Sequence, residues 1–161
     1  MNIKDFIIKL ESGNYDDQFR TLYGSSASER QRARYEKAAH EFVKCYPQHE
    51  YSEISVFSAP GRTEIGGNHT DHQHGCVLAA AVNLDVIAVA AFHNEGVIRV
   101  WSEGYDAFEV SLDDLSVHEN EKGSSEIVRG IASKFCQMGV NIGGFDIYTT
   151  SDVLGGSGIS S

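Results

Sequence analysis

The apolar residues of this chain first change their period between Tyr46 and Ile54, and that change constrains the fold more than any other feature. Upstream, Tyr35, Ala38, Ala39, Phe42, Val43 and Tyr46 recur at the three-and-four spacing of a helix face, and Pro47 closes the run. Ser25, Ser26 and Ser28 are the candidate N-caps of that helix. Ile3, Phe6, Ile7 and Leu10 repeat the pattern in a shorter helix stopped by Gly13 and Asn14. Downstream the period is two. Ile54, Val56 and Ser58 alternate with Ser55 and Phe57 until Ala59-Pro60-Gly61, which reads as a strand break. Residues 77–82 and 85–93 read as extended, the second segment apolar on both faces, as in a strand buried within a sheet.

The turn Asn94-Glu95-Gly96 predicts that residues 97–101 return as a hairpin partner. Phe108, Val110 and Leu112 predict a strand with one wet face. Ser124 or Ser125 is expected to cap a helix striped by Ile127, Val128, Ile131, Phe135 and Met138, and Phe145, Ile147 and Tyr148 mark a last strand. This order of helices and strands predicts an α+β fold, a sheet of about five strands covered by helices on one face.

Charge excludes some functions. Lys and Arg number 13 against 23 Asp and Glu, a net −10, and the excess of acid lies after residue 50. No basic surface emerges, so generic binding to nucleic acid or to anionic membrane is not expected. The longest apolar stretch, near residues 77–92, is broken by Asn83 and Asp85 and is too short and polar for a membrane span. The first residues lack a basic-then-apolar leader, and Cys45, Cys76 and Cys136 are scattered, which together predict a cytoplasmic protein with reduced, packing cysteines. Arg30, Arg32, Arg34 and Lys37 interleave with Glu29, Glu36 and Glu41, the pattern of a solvated helix face.

Two loops carry chemistry. Residues 59–75 hold four glycines, Arg62, Glu64, Asn68, Asp71 and the three histidines His69, His72 and His74. Glycines admit a ligand close to the backbone, and this mixture of donors and acceptors suits the hydroxyls of a sugar. Taken alone, the loop also fits a metal cluster of His69, Asp71, His72 and His74, or a plain polar turn. Residues 154–161 contain Gly155, Gly156, Ser157, Gly158, Ser160 and Ser161, a backbone cradle for phosphate followed by hydroxyls, or equally a Gly/Ser linker. A sugar-like loop and a phosphate-like loop together point to phosphoryl transfer onto a small alcohol.

Residues 59–72, Ala-Pro-Gly-Arg-Thr-Glu-Ile-Gly-Gly-Asn-His-Thr-Asp-His, resemble the galactokinase signature Gly-Arg-Val-Asn-Leu-Ile-Gly-Glu-His-Thr-Asp-Tyr of the GHMP small-molecule kinases. Residues 156–161 resemble the start of that family's second motif, and Tyr23-Gly24 its upstream aromatic-glycine element. The resemblance implies the N-terminal domain of such a kinase across residues 1–161, with a mixed, mostly antiparallel sheet. It implies ATP and Mg2+ as cofactors and galactose, or a close relative, as the small-molecule partner. By position, Arg62 is the catalytic arginine near the sugar C1 hydroxyl, and Asn68, His69 and Asp71 hold ring hydroxyls. Gly155, Gly156, Ser157, Gly158, Ser160 and Ser161 receive the nucleotide, and Ser161 contributes to magnesium.

Asn68 stands where the family has Glu, and His72 where it has Tyr, departures that bear on which sugar is bound. The family's base, an aspartate after the second motif, and its C-terminal domain would lie beyond residue 161. The chain therefore reads as a fragment, expected to be inactive alone. A kinase-like sugar and nucleotide sensor without turnover is the competing expectation, and a metal-binding module the third.

Overall fold

The computed structural model describes residues 1–67, 70–119 and 122–153. Among them the expected helices form as α1 (Ile3–Glu11), α3 (Ser28–Cys45) and α4 (Ser124–Gln137), and an additional helix, α2 (Asp16–Tyr23), precedes α3. The sequence reading missed α2 because its apolar face is short: only Phe19 and Tyr23 are buried. Asn2 caps α1 by accepting the Asp5 amide. The serine caps expected for α3 and α4 are replaced by Ala27 and Gly123, neither of which makes a side-chain cap.

Five strands make one sheet: β1 (Ser55–Gly66), β2 (Leu78–His93), β3 (Val97–Ser102), β4 (Phe108–Ser111) and β5 (Gly144–Ser151), in the order β1-β2-β5-β3-β4. All pairs are antiparallel except β3 with β5. The sheet is thus mixed and mostly antiparallel, as the family resemblance implies. Three local expectations are corrected. β1 does not break at Ala59-Pro60-Gly61 but runs through it, because β1 is an edge strand and its missing Pro60 N–H costs no ladder bond there. The ladder absorbs the irregularity: Pro60 faces Asp85 and Arg62 faces Ala81, so β2 advances four residues while β1 advances two. Residues 77–82 and 85–93 accordingly fall on one sixteen-residue strand, β2, which starts at Leu78.

Residues 97–102 are not the hairpin partner of β2, because β5 lies between them. A glycine makes the insertion possible. A Cβ on Gly144 would run into the Glu95 and Val97 carbonyl oxygens and the His93 ring, so the turn joining β2 to β3 closes tightly over the entry of β5.

The helices divide between the two faces of the sheet, against the one-face expectation. Alternation along β5 decides this. Tyr148 joins Ile87, Val89 and Ala91 of β2 in a core with Ile3, Phe6, Leu10, Phe19, Tyr35, Ala39 and Phe42 of α1–α3. Its neighbours Phe145 and Ile147 point the other way, toward Ile98, Val100 and Val110 and, on α4, Val128 and Ala132. Only part of the α4 stripe is covered. Ile131 and Phe135 stay about half exposed beside an apolar trough of about 580 Å³ floored by Phe92, Phe145 and Ile147. Of the cysteines only Cys45 is part-buried; Cys76 and Cys136 are exposed, so packing does not account for them.

One buried charge fastens the first layer to the sheet. Asp146 of β5 is fully buried and accepts from His49 at 2.8 Å, Gln48 at 2.9 Å, His93 at 3.1 Å and Arg99 at 3.2 Å. The Glu95 amide donates to His93 Nδ1, so Nε2 carries the proton that Asp146 receives. Burial pushes the Asp146 carboxyl up, but the hydrogen bonds from His49, His93 and Arg99 outweigh it and hold the group below the ordinary carboxylate range. A carboxylate depressed in the folded state contributes stability above the unfolded pKa and loses it as pH falls through the folded one.

Two outcomes follow. In urea unfolding, wild-type stability declines below about pH 4, whereas Asp146→Asn is about 3–5 kcal/mol less stable at neutral pH with a flatter acid limb. Gly144→Ala, which forces the β2–β3 turn off β5, costs about 1–3 kcal/mol in the same assay.

Candidate active site

The sugar-like loop leaves the sheet from β1 and returns on β2. Arg62 lies on the edge strand β1, opposite Ala81, with an exposed side chain, and Thr63 and Glu64 face Ala80 and Ala79. Gly67 then turns with φ +122°, a conformation closed to other residues, and a Cβ there would come within 2.7 Å of the Cys76 carbonyl and Val77 Cα. The loop is tied internally. The Thr70 hydroxyl donates to the Gly67 carbonyl at 2.8 Å, and the Thr70 carbonyl accepts from Gln73 and Gly75 at 2.9 and 2.8 Å around a short 3₁₀ turn at Asp71–Gln73. Gly75 is packed so closely on Thr70 that it has no room for a side chain.

The sequence-predicted residues are unequally placed. Arg62 sits at the foot of this loop, and the backbone of Asp71 lies in its 3₁₀ turn. Asn68, His69, the side chain of Asp71, and Gly155, Gly156, Ser157, Gly158, Ser160 and Ser161 lie outside the described residues. His72 and His74 are exposed on the loop. Among the described residues no group of three His, Cys, Asp or Glu is arranged to hold a metal ion; the metal reading also needs His69 and the Asp71 side chain, outside that description.

Farther along the two strands that carry the loop, at the register shift near Pro60, lies a polar hub that sequence reasoning did not find. Asp85 of β2 is 2% exposed and sits opposite Pro60, where β1 turns toward Arg62. It accepts from the Tyr23 hydroxyl at 2.5 Å, from the Ser58 hydroxyl and from Arg34 Nη1 at 2.5 Å. Burial first, then the Asp85 and Tyr35 hydrogen bonds, push the Tyr23 phenol far above its usual range, and burial raises Tyr35 as well. Both phenols stay protonated. Tyr23 gives its one proton to Asp85, so Tyr35 is the donor in their 2.7 Å contact. The Tyr23 carbonyl receives the Asn83 amide at 3.5 Å, and Gly24 follows with φ +94°, which places the aromatic-glycine element against the irregular part of β2.

Arg34 does more than neutralise Asp85. Its Nη2 donates to the Asp85 carbonyl at 2.8 Å and the Thr150 carbonyl at 3.4 Å, and its Nε lies 3.4 Å from Asp152. Asp152 also pairs with Arg30 at 2.8 Å and donates its amide to the Asp85 carbonyl at 3.0 Å. Asp152 immediately follows β5 and stands two residues before the glycine-rich segment 154–161. Of the α3 cations expected to form a solvated face, Arg30 and Lys37 stay exposed while Arg32 and Arg34 are more buried, and all are paired across the fold, Arg32 with Asp16 at 2.5 Å and Lys37 with Glu103 at 2.5 Å. A lone acid in the apolar run of β2 was the sequence signal for Asp85. Nothing local marked Arg34 as its partner, 51 residues away.

Comparison with known proteins agrees with this geometry. Residues 40–92, which contain β1, the loop and nearly all of β2, match the galactokinase galactose-binding signature. A galactokinase of Bacillus subtilis (strain 168) is 32% identical over 112 residues, 67% of this chain and 28% of that protein. A crystal structure of Lactococcus lactis galactokinase complexed with galactose superposes with a TM-score of 0.64 at 25% identity, covering 76% of this chain and 32% of that one. The chain thus spans under a third of the length of either relative. The signature across the β1–β2 loop, the kinship in sequence and the shared sheet place this chain in the galactokinase family.

Proposed function

We propose that the protein carrying this chain transfers the γ-phosphoryl group of ATP to the C1 hydroxyl of galactose, giving galactose 1-phosphate and ADP. The observation that carries the reading is the galactose-binding signature spanning Arg62 and the loop at 67–77. In this reading the hydroxyl oxygen attacks the γ-phosphorus, the bond from that phosphorus to the β,γ-bridging oxygen breaks, and the hydroxyl proton leaves to a base. Arg62, the cation at the foot of the loop, offsets negative charge developing between the attacking oxygen and the phosphoryl group. Asn68, His69 and Asp71 supply the amide, imidazole and carboxylate that fix the ring hydroxyls. An amide at position 68 still bonds a hydroxyl but adds no charge, so the preference among galactose, N-acetylgalactosamine and arabinose is set partly there.

The donor set of residues 154–161 fits a nucleotide. Backbone amides of Gly155, Gly156, Ser157 and Gly158 suit phosphate oxygens, and the hydroxyls of Ser160 and Ser161 suit phosphate or magnesium. The Ser160 and Ser161 hydroxyls would help hold Mg2+, which would screen the charge of the phosphates. The chain's net −10 does not oppose this, since amide cradles and one arginine act locally. No helix among the described residues is long and apolar enough to cross a membrane.

Two measurements test the proposal. Galactose raises the melting temperature of the protein more than glucose, N-acetylgalactosamine or arabinose does, by the equivalent of about 2.7 kcal/mol at a hundredfold excess over Kd, and Gly67→Ala loses that shift because the loop cannot close. In a coupled ADP-release assay galactose drives turnover, and Arg62→Met lowers kcat by about 10²–10³-fold. Galactose binding without turnover would assign a sensor instead, and the absence of any sugar-dependent shift would overturn the reading.

A further inference from the structure

The hub at the β1–β2 register shift joins two places that the sugar-kinase reading keeps apart. On one side Asp85 holds Ser58 and lies opposite Pro60, two residues before Arg62. On the other side Asp152 immediately follows β5, two residues before the glycine-rich segment. A single guanidinium touches both. Arg34 donates to the Asp85 carboxylate at 2.5 Å and to the carbonyls of Asp85 and Thr150 at 2.8 and 3.4 Å, Gln31 accepts from its Nη1 at 3.2 Å, and its Nε lies 3.4 Å from the Asp152 carboxylate as an ion pair without a hydrogen bond. The arginine side chain is 10% exposed, against 2% and 24% for Asp85 and Asp152. A planar fork with five donors can span these acceptors; a lysine can satisfy one of them well but not all.

We infer that Arg34 is a positioning residue, which fixes the strand leading to the sugar loop relative to the strand leading to the nucleotide loop. The inference rests on the sugar-kinase reading for its consequence, though not for its geometry. In-line transfer between two bound substrates is sensitive to displacements of about 1 Å, so a tie between the roots of their two loops sets how well both are held. Both roots contribute charge. Removing the fork leaves Asp85 buried with hydroxyl donors but no cation, and leaves Asp152 with Arg30 alone. The tie is independent of Arg62, which lies beyond it on β1.

The test compares Arg34→Lys and Asp152→Asn with wild type by hydrogen exchange and by steady-state kinetics with galactose and ATP. Arg34→Lys is expected to speed exchange at residues 58–62 and 150–153 together, and to raise KM for both galactose and ATP by about three- to tenfold, on the order of 1 kcal/mol of lost binding for each. Asp152→Asn, whose side chain is partly exposed and which leaves Asp85 paired, is expected to raise KM for ATP and leave that for galactose unchanged. A merely structural arginine would lower the melting temperature and the yield of folded protein while leaving both KM values in place, and that result overturns the inference. Exchange that rises at only one of the two segments overturns it as well. If wild-type protein binds neither galactose nor ATP while both segments exchange together in Arg34→Lys, the sugar-kinase reading falls and takes the positioning role with it; unchanged KM values in a variant of an active enzyme remove the positioning role alone.

Discussion

The ion pair between Arg34 and Asp85 is the interaction on which the arrangement of this domain depends. Two charges this close to dryness are tolerated only when their remaining hydrogen-bonding capacity is met. Asp85 meets that condition with Tyr23, Ser58 and Arg34; Arg34 meets it at both terminal nitrogens, with Gln31, Asp85 and two carbonyls, while its Nε forms no hydrogen bond and lies 3.4 Å from Asp152 as an ion pair. The pair reaches into α2, α3, β1, β2 and the end of β5, so these elements are fixed to one another by direction as well as by apolar contact. Hydrophobic burial holds the layer of α1–α3 on the sheet, but burial is not directional. Hydrogen-bonded charges choose which register survives.

A second buried carboxylate does the same at the opposite end of β5. Asp146 gathers His49, Gln48, His93 and Arg99, bringing the turn after α3 and the ends of β2 and β3 to one point. Asp85 lies opposite neither Asp146 nor its partners: in the β2–β5 ladder Asp146 faces Ala91, whereas the hub at Asp85 lies past the last paired position, Val86 with Ser151. The inserted strand β5 is thereby clamped at both ends. The end near Asp85 is the one that carries the two candidate ligand loops, which accords with function lying on loops set by a rigid scaffold.

Much of this was legible in the sequence, and the parts that were not share a cause. Helical stripes ending at Pro47 and the alternating residues from Ile54 onward fixed α1, α3 and the core strands, because those signals are local. The insertion of β5 between β2 and β3 is a pairing across some fifty residues, and its only local trace is Gly144, whose missing side chain admits the turn over the strand. α2 escaped notice because it buries two residues, Phe19 and Tyr23. The cations of α3 read as a solvated face because acids alternate with them along the helix, and Arg30 and Lys37 are indeed exposed, yet the partners of all four come from α2, β2 and the ends of β3 and β5. In the candidate site, motif matching located Arg62 and the loop, while the residues that hold the loop's root, Asp85 and Arg34, carry no motif.

The central claim is that one buried guanidinium ties the strands flanking the β1–β2 loop to the end of β5, and that the proposed transfer depends on this tie. A crystal structure of the protein with galactose and a non-hydrolysable ATP analogue tests it most directly. The account predicts the C1 hydroxyl beside Arg62, the phosphates against residues 155–161, and Arg34 still bridging Asp85 and Asp152. A sugar seated away from Arg62, or an Arg34 fork that lets go of either carboxylate in the ternary complex, would contradict it.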